Sequence, residues 1–145
     1  LNKELGKAGI KDLVLKLPFV YVVERSDHTI ILRGANIYAS QVRHALDEHS
    51  LSKFITGKFT MMKKENWKAD EYLEIHVELK KRIKPTTTLN KKILNTIIAD
   101  LRKYNSEYND AYTHQSRKAT PRLKFWPYQH QTHFGPGKQK WVKNK

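Results

Sequence analysis

The segment Tyr72 to Lys80 places the strongest constraint on the fold, because apolar and polar side chains alternate along its length. A period of two residues is typical of a β-strand with one face buried. The side chains predicted to point inward are Leu73, Ile75, Val77 and Leu79. Those predicted to point outward are Glu74, His76 and Glu78. A chain with such a strand must cover the apolar face with a second layer of structure.

The segments around this strand predict the rest of the domain. Residues 54 to 64 also alternate, and the polar stretch ENWKADE between the two strands predicts a β-hairpin. Helical spacing of apolar residues begins after Ser40, a natural N-cap, and again after about Thr88, where it continues to Tyr104 or Tyr108. A short strand from Leu123 to Trp126 ends the pattern.

A further hairpin is predicted at the N-terminal end. There, residues 14 to 23 are expected to pair with residues 29 to 33 across an Arg-Ser-Asp-His turn. The predicted fold class is therefore α+β. An N-terminal β-hairpin is followed by a small antiparallel sheet with two helices packed on one face.

The stretch RSDHTIILRGANIY, residues 25 to 38, is the most specific motif in the chain. A polar turn leads into a β-branched strand, then to Gly34, where the chain can turn tightly or approach a ligand closely. This order resembles the motif that joins the large and small domains of adenylate-forming enzymes, such as acyl-CoA synthetases, luciferases and peptide-synthetase adenylation domains. The positions that match are Arg25, Asp27, Gly34, Asn36 and Ile37. Those that depart are Glu24, His28 and Ala39.

The preceding letters, LPFVYVV, are similar to the phenylacetate–CoA ligase-like branch of that superfamily. The resemblance implies that residues 1–24 are a linker and first strand from the end of a large domain. It implies that residues 25–145 form the C-terminal lid domain. The whole enzyme would be an AMP-forming acid–CoA ligase that uses ATP, Mg²⁺ and CoA on a small organic acid, aryl acids included. The large domain would bind most of these ligands, so this fragment alone is expected to be inactive.

By the same resemblance, each motif residue receives an expected role. Arg25 would contact the nucleotide ribose, and Asp27 and His28 would form the hinge about which the small domain rotates. Gly34 and Ala35 would line the passage for the CoA pantetheine arm. Because His28 replaces an acidic residue, the identity of the hinge residue remains open.

The tail contains a second motif, Gly135-Pro136-Gly137-Lys138. The superfamily has a Gly-Lys at this place, on a loop that enters the active site, so the resemblance makes Lys138 the catalytic lysine. Attack of a carboxylate on a phosphate brings two anions together, and a lysine can offset both charges. The alternatives are that Lys140 performs this role, or that these lysines only solvate the tail.

The formal charge of +14 supports a second interpretation, a basic α+β module that binds nucleic acid. The last 29 residues carry eight Lys or Arg and no acid, and their aromatic residues could stack bases. We rank this interpretation, and a third one of a regulatory ligand-binding domain, below the ligase. His130 and His133 have no third ligand nearby in the sequence, so no metal site is predicted.

Composition sets the remaining limits. The chain has no cysteine, which excludes disulfides and thiolate metal sites. Its longest apolar run is too short to span a bilayer, and no secretory signal pattern is present. A cytoplasmic protein without a membrane partner is expected.

Overall fold

A computed structural model describes residues 28–136 and 140–143, which form an α+β domain, as the sequence predicts. Its first strands are β1 (Thr29–Leu32) and β2 (Ala35–Tyr38), and its first helix is α1 (Ala39–Leu46). A 3-10 turn, His49–Leu51, leads to β3 (Ile55–Glu65) and β4 (Glu71–Leu79). Helices α2 (Thr87–Tyr104) and α3 (Ser106–Ala119), strand β5 (Arg122–Trp126) and the short helix α4 (Gln131–Phe134) complete the described part.

The strands form two sheets. Strands β1 and β2 make an antiparallel pair, and β3, β4 and β5 form a three-stranded sheet with β4 in the centre. Strands β3 and β4 are antiparallel, as predicted, but β5 runs parallel to β4. The long connection through α2 and α3 returns the chain to the other end of the sheet, which permits the parallel pairing.

The N-terminal hairpin has a different partner from the predicted one. Strand β1 matches the predicted strand, and its described partner is β2, which follows it directly. The predicted partner, residues 14 to 23, lies outside the described residues, as does the whole predicted linker, residues 1–24.

The helix boundaries differ from the predicted ones in three places. Helix α1 begins one residue before Ser40, and its N-cap residue is Tyr38. The backbone N–H of Tyr38 donates to Oε1 of Gln41 at 3.2 Å. Helix α2 is capped by Thr86, whose hydroxyl accepts from the backbone of Leu89 at 3.1 Å. Helix α3 is a separate element, because Asn105 ends α2 and caps α3 by accepting from Tyr108 N at 2.8 Å.

One hydrophobic core joins the helices to one face of the sheet. The predicted inward side chains of β4 are buried, and so are Leu89, Ile93, Ile97 and Leu101 along one face of α2. They share a cluster with the buried side chains of β1, β2 and α1. The two-residue turn between β1 and β2 therefore stands at the edge of a rigid body, where its position is fixed by the packing beneath it.

Candidate functional site

The turn between β1 and β2 carries Gly34, one of the two residues of the predicted CoA passage, and Ala35, the other, is the first residue of β2. Arg33 and Gly34 both have positive φ angles, 52° and 81°, as in the type I′ turns that match the twist of a hairpin. Gly34 lines a surface cleft of about 380 Å³ between the turn and helix α3. Ala35, in contrast, is buried in the hydrophobic core. The structure thus brings Gly34 to a cleft and leaves Ala35 behind it as packing, and their role toward CoA stays a prediction.

Asn36, the next residue of the motif, connects the hairpin of β1 and β2 to helix α3 through hydrogen bonds. Its backbone N–H and side-chain N–H₂ both donate to Oε2 of Glu107, at 2.8 and 3.1 Å. Its carbonyl accepts from the side chain of Asn105 at 2.8 Å. Because one asparagine connects the strand to the first turn of α3, the motif has a structural function here. The sequence analysis did not identify Asn105 or Glu107, since their partners lie about 70 residues away.

Arg33 separates the cleft at Gly34 from a second cleft on its other side. One terminal nitrogen donates to Oε1 of Gln115 at 3.1 Å. The other lies 3.5 Å from the carbonyl of Glu71 and 3.7 Å from a carboxylate oxygen of Asp70. The guanidinium is therefore held between α3 and the start of β4, and it forms a common wall for both clefts.

His28, the predicted hinge residue, is the first residue that the structure describes. Its ring lies 5.2 Å from the ring of Trp141, between centroids. The indole of Trp141 stacks with Phe59 at 6.2 Å and lies under the guanidinium of Arg43 at 5.4 Å. Trp141 therefore connects the hinge region with α1, β3 and the C-terminal tail. The other predicted site residues, Arg25, Asp27 and Lys138, lie outside the described residues.

The tail on both sides of Lys138 is attached to the rest of the domain. Val142 forms a parallel bridge with Met61 on the free edge of β3, and the carbonyl of Lys140 accepts from the hydroxyl of Thr60 at 3.1 Å. Before the loop, Phe134 at the end of α4 is buried. The backbone therefore has fixed points on each side of the Gly-Lys motif.

A basic cleft of about 280 Å³ lies between these fixed points. Three lysines line it, and none of its described lining residues is acidic; the lysines are Lys58, Lys140 and Lys143. The sequence could not reveal this grouping, because Lys58 belongs to β3 and reaches the tail only through the tertiary fold.

The second face of β4, predicted to point outward, is covered by protein. The tail from Trp126 to Phe134 lies over it, so that His76 and Glu78 are buried. Trp126 donates its indole N–H to Nδ1 of His76 at 3.0 Å, which places the histidine proton on Nε2, where it donates to Glu74 at 2.7 Å. The prediction that these side chains face solvent is therefore wrong, although it assigned them correctly to one face.

The titration of this network follows from its burial. Burial lowers the pKa of His76, and the carboxylate of Glu74 offsets that effect only in part. Burial alone would raise the pKa of Glu74, but hydrogen bonds from Lys64 and His76 outweigh it and leave the pKa lowered. Burial and the neighbouring His76 also lower the pKa of His133, whose ring stacks on Trp126 at 3.6 Å. A lowered pKa favours the neutral form of each of these two histidines.

Glu78 is a fully buried carboxylate on the same face. It accepts hydrogen bonds from the hydroxyl of Thr56 at 2.6 Å and from the backbone N–H of Gln129 at 2.7 Å, and Lys58 lies 4.0 Å away. Gly57, with a φ of 85°, lies in the β-bulge of β3. This bulge brings Thr56 and Lys58 toward Glu78. Sequence alternation alone gives no signal for such a site.

The aromatic residues of the tail are used mainly for packing. The ring of Trp126 contacts the rings of His76, His130 and His133. Phe134 is buried, and Phe125 and Trp141 pack against the core. Only Tyr128 of this group is strongly exposed. The aromatic–basic pattern that suggested base stacking is therefore largely explained by the fold.

The described residues contain neither a cluster of metal ligands nor a membrane-spanning helix. His130 is the N-cap residue of α4 and His133 lies within this short helix, which the sequence did not predict. Across residues 28–136 and 140–143, no three His, Asp or Glu side chains are arranged to hold a metal ion. Within the same ranges, no helix is both long enough and apolar enough to cross a membrane.

Comparison with known proteins defines the class of fold. No protein-family model and no curated protein matches the chain. Among solved structures, the chain is similar to a domain of phenylacetate–coenzyme A ligase from Bacteroides vulgatus ATCC 8482. The TM-score is 0.50 at 19% identity, over 81% of this chain and 92% of that one. An acyl-CoA synthetase from Brucella canis is similar with a TM-score of 0.44 at 17% identity, over 72% of this chain and 16% of that one. The first comparison confirms the resemblance at the level of the fold.

Proposed function

We propose that this chain is the C-terminal lid domain of an AMP-forming acid–CoA ligase. The observation that carries the proposal is the position of the motif within the fold. Gly34 and Asn36 lie at the hairpin of a domain whose fold is shared with a domain of phenylacetate–coenzyme A ligase. The complete enzyme joins an organic acid to the AMP group of ATP and then transfers the acyl group to CoA. A large domain, absent from this sequence, binds the acid, ATP and Mg²⁺.

The lid supplies positive charge to the first half-reaction. A carboxylate oxygen attacks the α-phosphorus, the bond to pyrophosphate breaks, and negative charge accumulates around phosphorus. Lys138 offsets that charge by contacting the acid and the α-phosphate together. The basic cleft beside the Gly-Lys motif supports this role, because Lys58, Lys140 and Lys143 raise the local positive potential.

The lid then rotates about Asp27 and His28. This rotation withdraws Lys138 from the active site and brings the turn between β1 and β2 into its place. In this second state Gly34 faces the passage through which the thiol of CoA reaches the adenylate. A residue without Cβ suits that position, since the backbone can approach the pantetheine chain closely. Arg25 contacts the nucleotide ribose from the end of the large domain. ATP provides the AMP group and Mg²⁺ neutralises phosphate charge, while the described lid residues hold no metal-ligand cluster of their own.

The test is acid-dependent exchange of labelled pyrophosphate into ATP by the full-length protein, over a panel of aryl and fatty acids. We expect Lys138→Ala to lower the exchange by about a hundredfold or more, since a charge at the transition state is lost. Lys140→Ala tests the alternative lysine, and Lys91→Ala, an exposed helix position, is the control. The isolated chain should show no exchange.

Two results would contradict parts of this proposal. Exchange that is unaffected by Lys138→Ala would show that Lys138 is not the catalytic lysine, but it would be consistent with the proposed enzyme class. Absence of exchange with every acid, in a full-length protein that is folded and contains a large domain, would remove the enzyme class itself. The cytoplasmic location and the identity of the acid stay predictions.

A further inference from the structure

Four rings meet on the polar face of β4: His76, Trp126, His130 and His133. We name them the histidine–tryptophan cluster. His76 belongs to β4 and Trp126 ends β5, whereas the other two histidines lie in residues 127–134, which we name the covering segment. The centroid of the indole six- and five-membered ring system lies 3.6 Å from His133, 4.6 Å from His130 and 5.6 Å from His76. The cluster therefore connects the covering segment to the central strand of the sheet.

The hydrogen bonds of His76 fit only its neutral form. An indole N–H can only donate, so the bond of 3.0 Å from Trp126 requires an unprotonated Nδ1 on His76. The hydrogen on Nε2 is donated to Glu74 at 2.7 Å. A proton added to Nδ1 would place two N–H donors against each other and break the bond from the indole. Protonation of His76 therefore removes the contact that orients Trp126.

The surroundings of His133 also oppose its charged form. Its Nδ1 is buried and has no hydrogen-bond partner among the described residues, and the same holds for Nδ1 of His130. A charged imidazole carries hydrogen on both ring nitrogens, so protonated His133 would contain a buried N–H without an acceptor. Burial lowers the pKa of His133, and the neighbouring His76 lowers it further.

The charged groups that face the two histidines are mostly basic. Glu74 favours the charged form of His76, but it also accepts from Lys64 at 2.6 Å. Glu78, on the same face, accepts from the backbone N–H of Gln129 in the covering segment. The lysines around the cluster come from β3, β5 and the tail: Lys58, Lys64, Lys124, Lys140 and Lys143. A proton added to either histidine therefore meets more positive than negative charge.

We infer that protonation of His76 and His133 releases the covering segment from the sheet, so that pH regulates the proposed adenylation step. The released segment contains Phe134, which is the fixed point of the backbone before the Gly-Lys motif. Docking of the segment is complete above about pH 6.5, the ordinary pKa of histidine, and it weakens as pH falls, because the undocked segment binds more protons. The release is a property of this domain alone, whereas its effect on activity rests on the proposed function.

Amide hydrogen exchange of this chain, measured by NMR, tests the release. The reporter amides are those of Gln129 and Phe134, which donate at 2.7 Å to Glu78 and to the carbonyl of His130. Their protection factors, corrected for the pH dependence of the chemical step, should fall about tenfold or more between about pH 7.5 and about pH 5.5. Unchanged protection of both reporter amides would overturn the inference.

A core amide distinguishes local release from unfolding of the whole domain. Ile97 is fully buried in α2, so its amide reports on global unfolding. At the acid pH it should stay protected at least about a hundredfold more strongly than the reporter amides. Equal protection at all three positions would show that the covering segment opens only with the whole domain, and it would overturn the release.

Two pairs of substitutions identify the groups that titrate. His76→Gln with His133→Gln removes both proposed groups, so the protection of the reporter amides should change less than about twofold over the same pH range. The matched control, His44→Gln with His114→Gln, removes two mostly exposed histidines outside the cluster and should keep the wild-type response. A full response in the first pair, or a lost response in the control, would overturn the assignment to the cluster.

A third variant tests the mechanism without removing either histidine. Trp126→Phe retains an aromatic ring but lacks the N–H that occupies Nδ1 of His76. The titration midpoint of His76, followed by the NMR signals of its ring, should therefore shift to higher pH. An unchanged midpoint would show that the indole does not oppose protonation, and it would overturn the proposed mechanism.

Pyrophosphate exchange in the full-length protein separates this inference from the proposed function. The ratio of exchange at about pH 5.5 to exchange at about pH 7.5 should be at least about fivefold higher in His76→Gln with His133→Gln than in the wild type. Release of the covering segment at acid pH in a protein without exchange would support the release and contradict the ligase. Exchange with the same pH ratio in both proteins would support the ligase and overturn its regulation by these histidines.

Discussion

Strand β4 has two buried faces, and they are built from different chemistry. On one face Leu73, Ile75, Val77 and Leu79 pack against the helices without any polar atom to satisfy. On the other, His76 and Glu78 are covered by the C-terminal tail and Glu74 is half-buried, and all three are paired with hydrogen-bond partners. The first face gains stability from area removed from water, and the second depends on complete pairing of its polar groups.

This difference shows what an alternating pattern contains. Alternation states which side chains share a face, because successive residues of a strand point to opposite sides. It does not state what covers that face. Here the polar side is covered by a tail that starts more than 40 residues later, and this tail also carries the Gly-Lys motif.

The largest loss of stability is expected for a substitution on the apolar face of β4. Ile75→Ala should lower the free energy of unfolding by about 2–5 kcal/mol, because the side chain is fully buried and leaves a cavity. Chemical denaturation followed by circular dichroism measures the change. Ile31→Ala, at an exposed position of the same residue type, should alter stability by less than about 0.5 kcal/mol. Similar losses in both variants would contradict the proposed location of the core.

An intermediate effect is expected on the polar face. Glu78→Ala leaves the hydroxyl of Thr56 and the backbone N–H of Gln129 without an acceptor, so it should cost about 1–3 kcal/mol. Glu78→Gln retains an acceptor and should cost less. Glu65→Ala, an exposed glutamate of the same hairpin, is the control. A Glu78→Ala protein as stable as the wild type would show that the tail does not seal this face.

The smallest expected effect is a change of stability with pH, and it arises from the polar face of β4. The folded protein lowers the pKa of His76 and of His133, so the unfolded chain binds more protons between the folded value and the ordinary value of about 6.5. The stability that these neutral histidines contribute is therefore fully present above about pH 6.5 and is lost as pH falls. Unfolding curves at about pH 7.5 and about pH 5.5 should show a lower midpoint at the acid value.

Variants identify the source of that pH dependence. His76→Gln should flatten the dependence in this interval, whereas His114→Gln, at an exposed position of α3, should keep it. An unchanged slope in the His76→Gln protein would assign the titration to other groups.

Much of the fold was predictable, because it depends on local patterns. The strands β3, β4 and β5 and the helices α1 and α2 follow from periodicity, and Gly34 was identified as a position where the chain can turn tightly, although the predicted hairpin turned earlier, at residues 25–28. The errors have physical causes. Ser40, and Thr88 or its neighbour, were predicted as caps, but the N-cap residues are Tyr38, whose backbone N–H donates to Gln41, and Thr86. Helix α3 was missed because its sequence is too polar to give an apolar stripe.

The candidate site was predictable only as a motif. Gly34, Ala35 and His28 were selected from their order in the chain, and the structure places them at a cleft, in the core and against Trp141. The basic cleft could not be anticipated. It assembles cations from elements far apart in sequence, such as Lys58 with Lys143.

The sequence by itself determined the elements, the face to which each side chain belongs and the motif at the hairpin. These properties depend on neighbours within a few residues, through strand alternation, helix periodicity and turn geometry. Only the tertiary structure decided that β5 is parallel, that the tail buries Glu78 and His76, and that three lysines gather in the basic cleft. Those outcomes depend on how distant surfaces are removed from water together, and no local pattern encodes that choice.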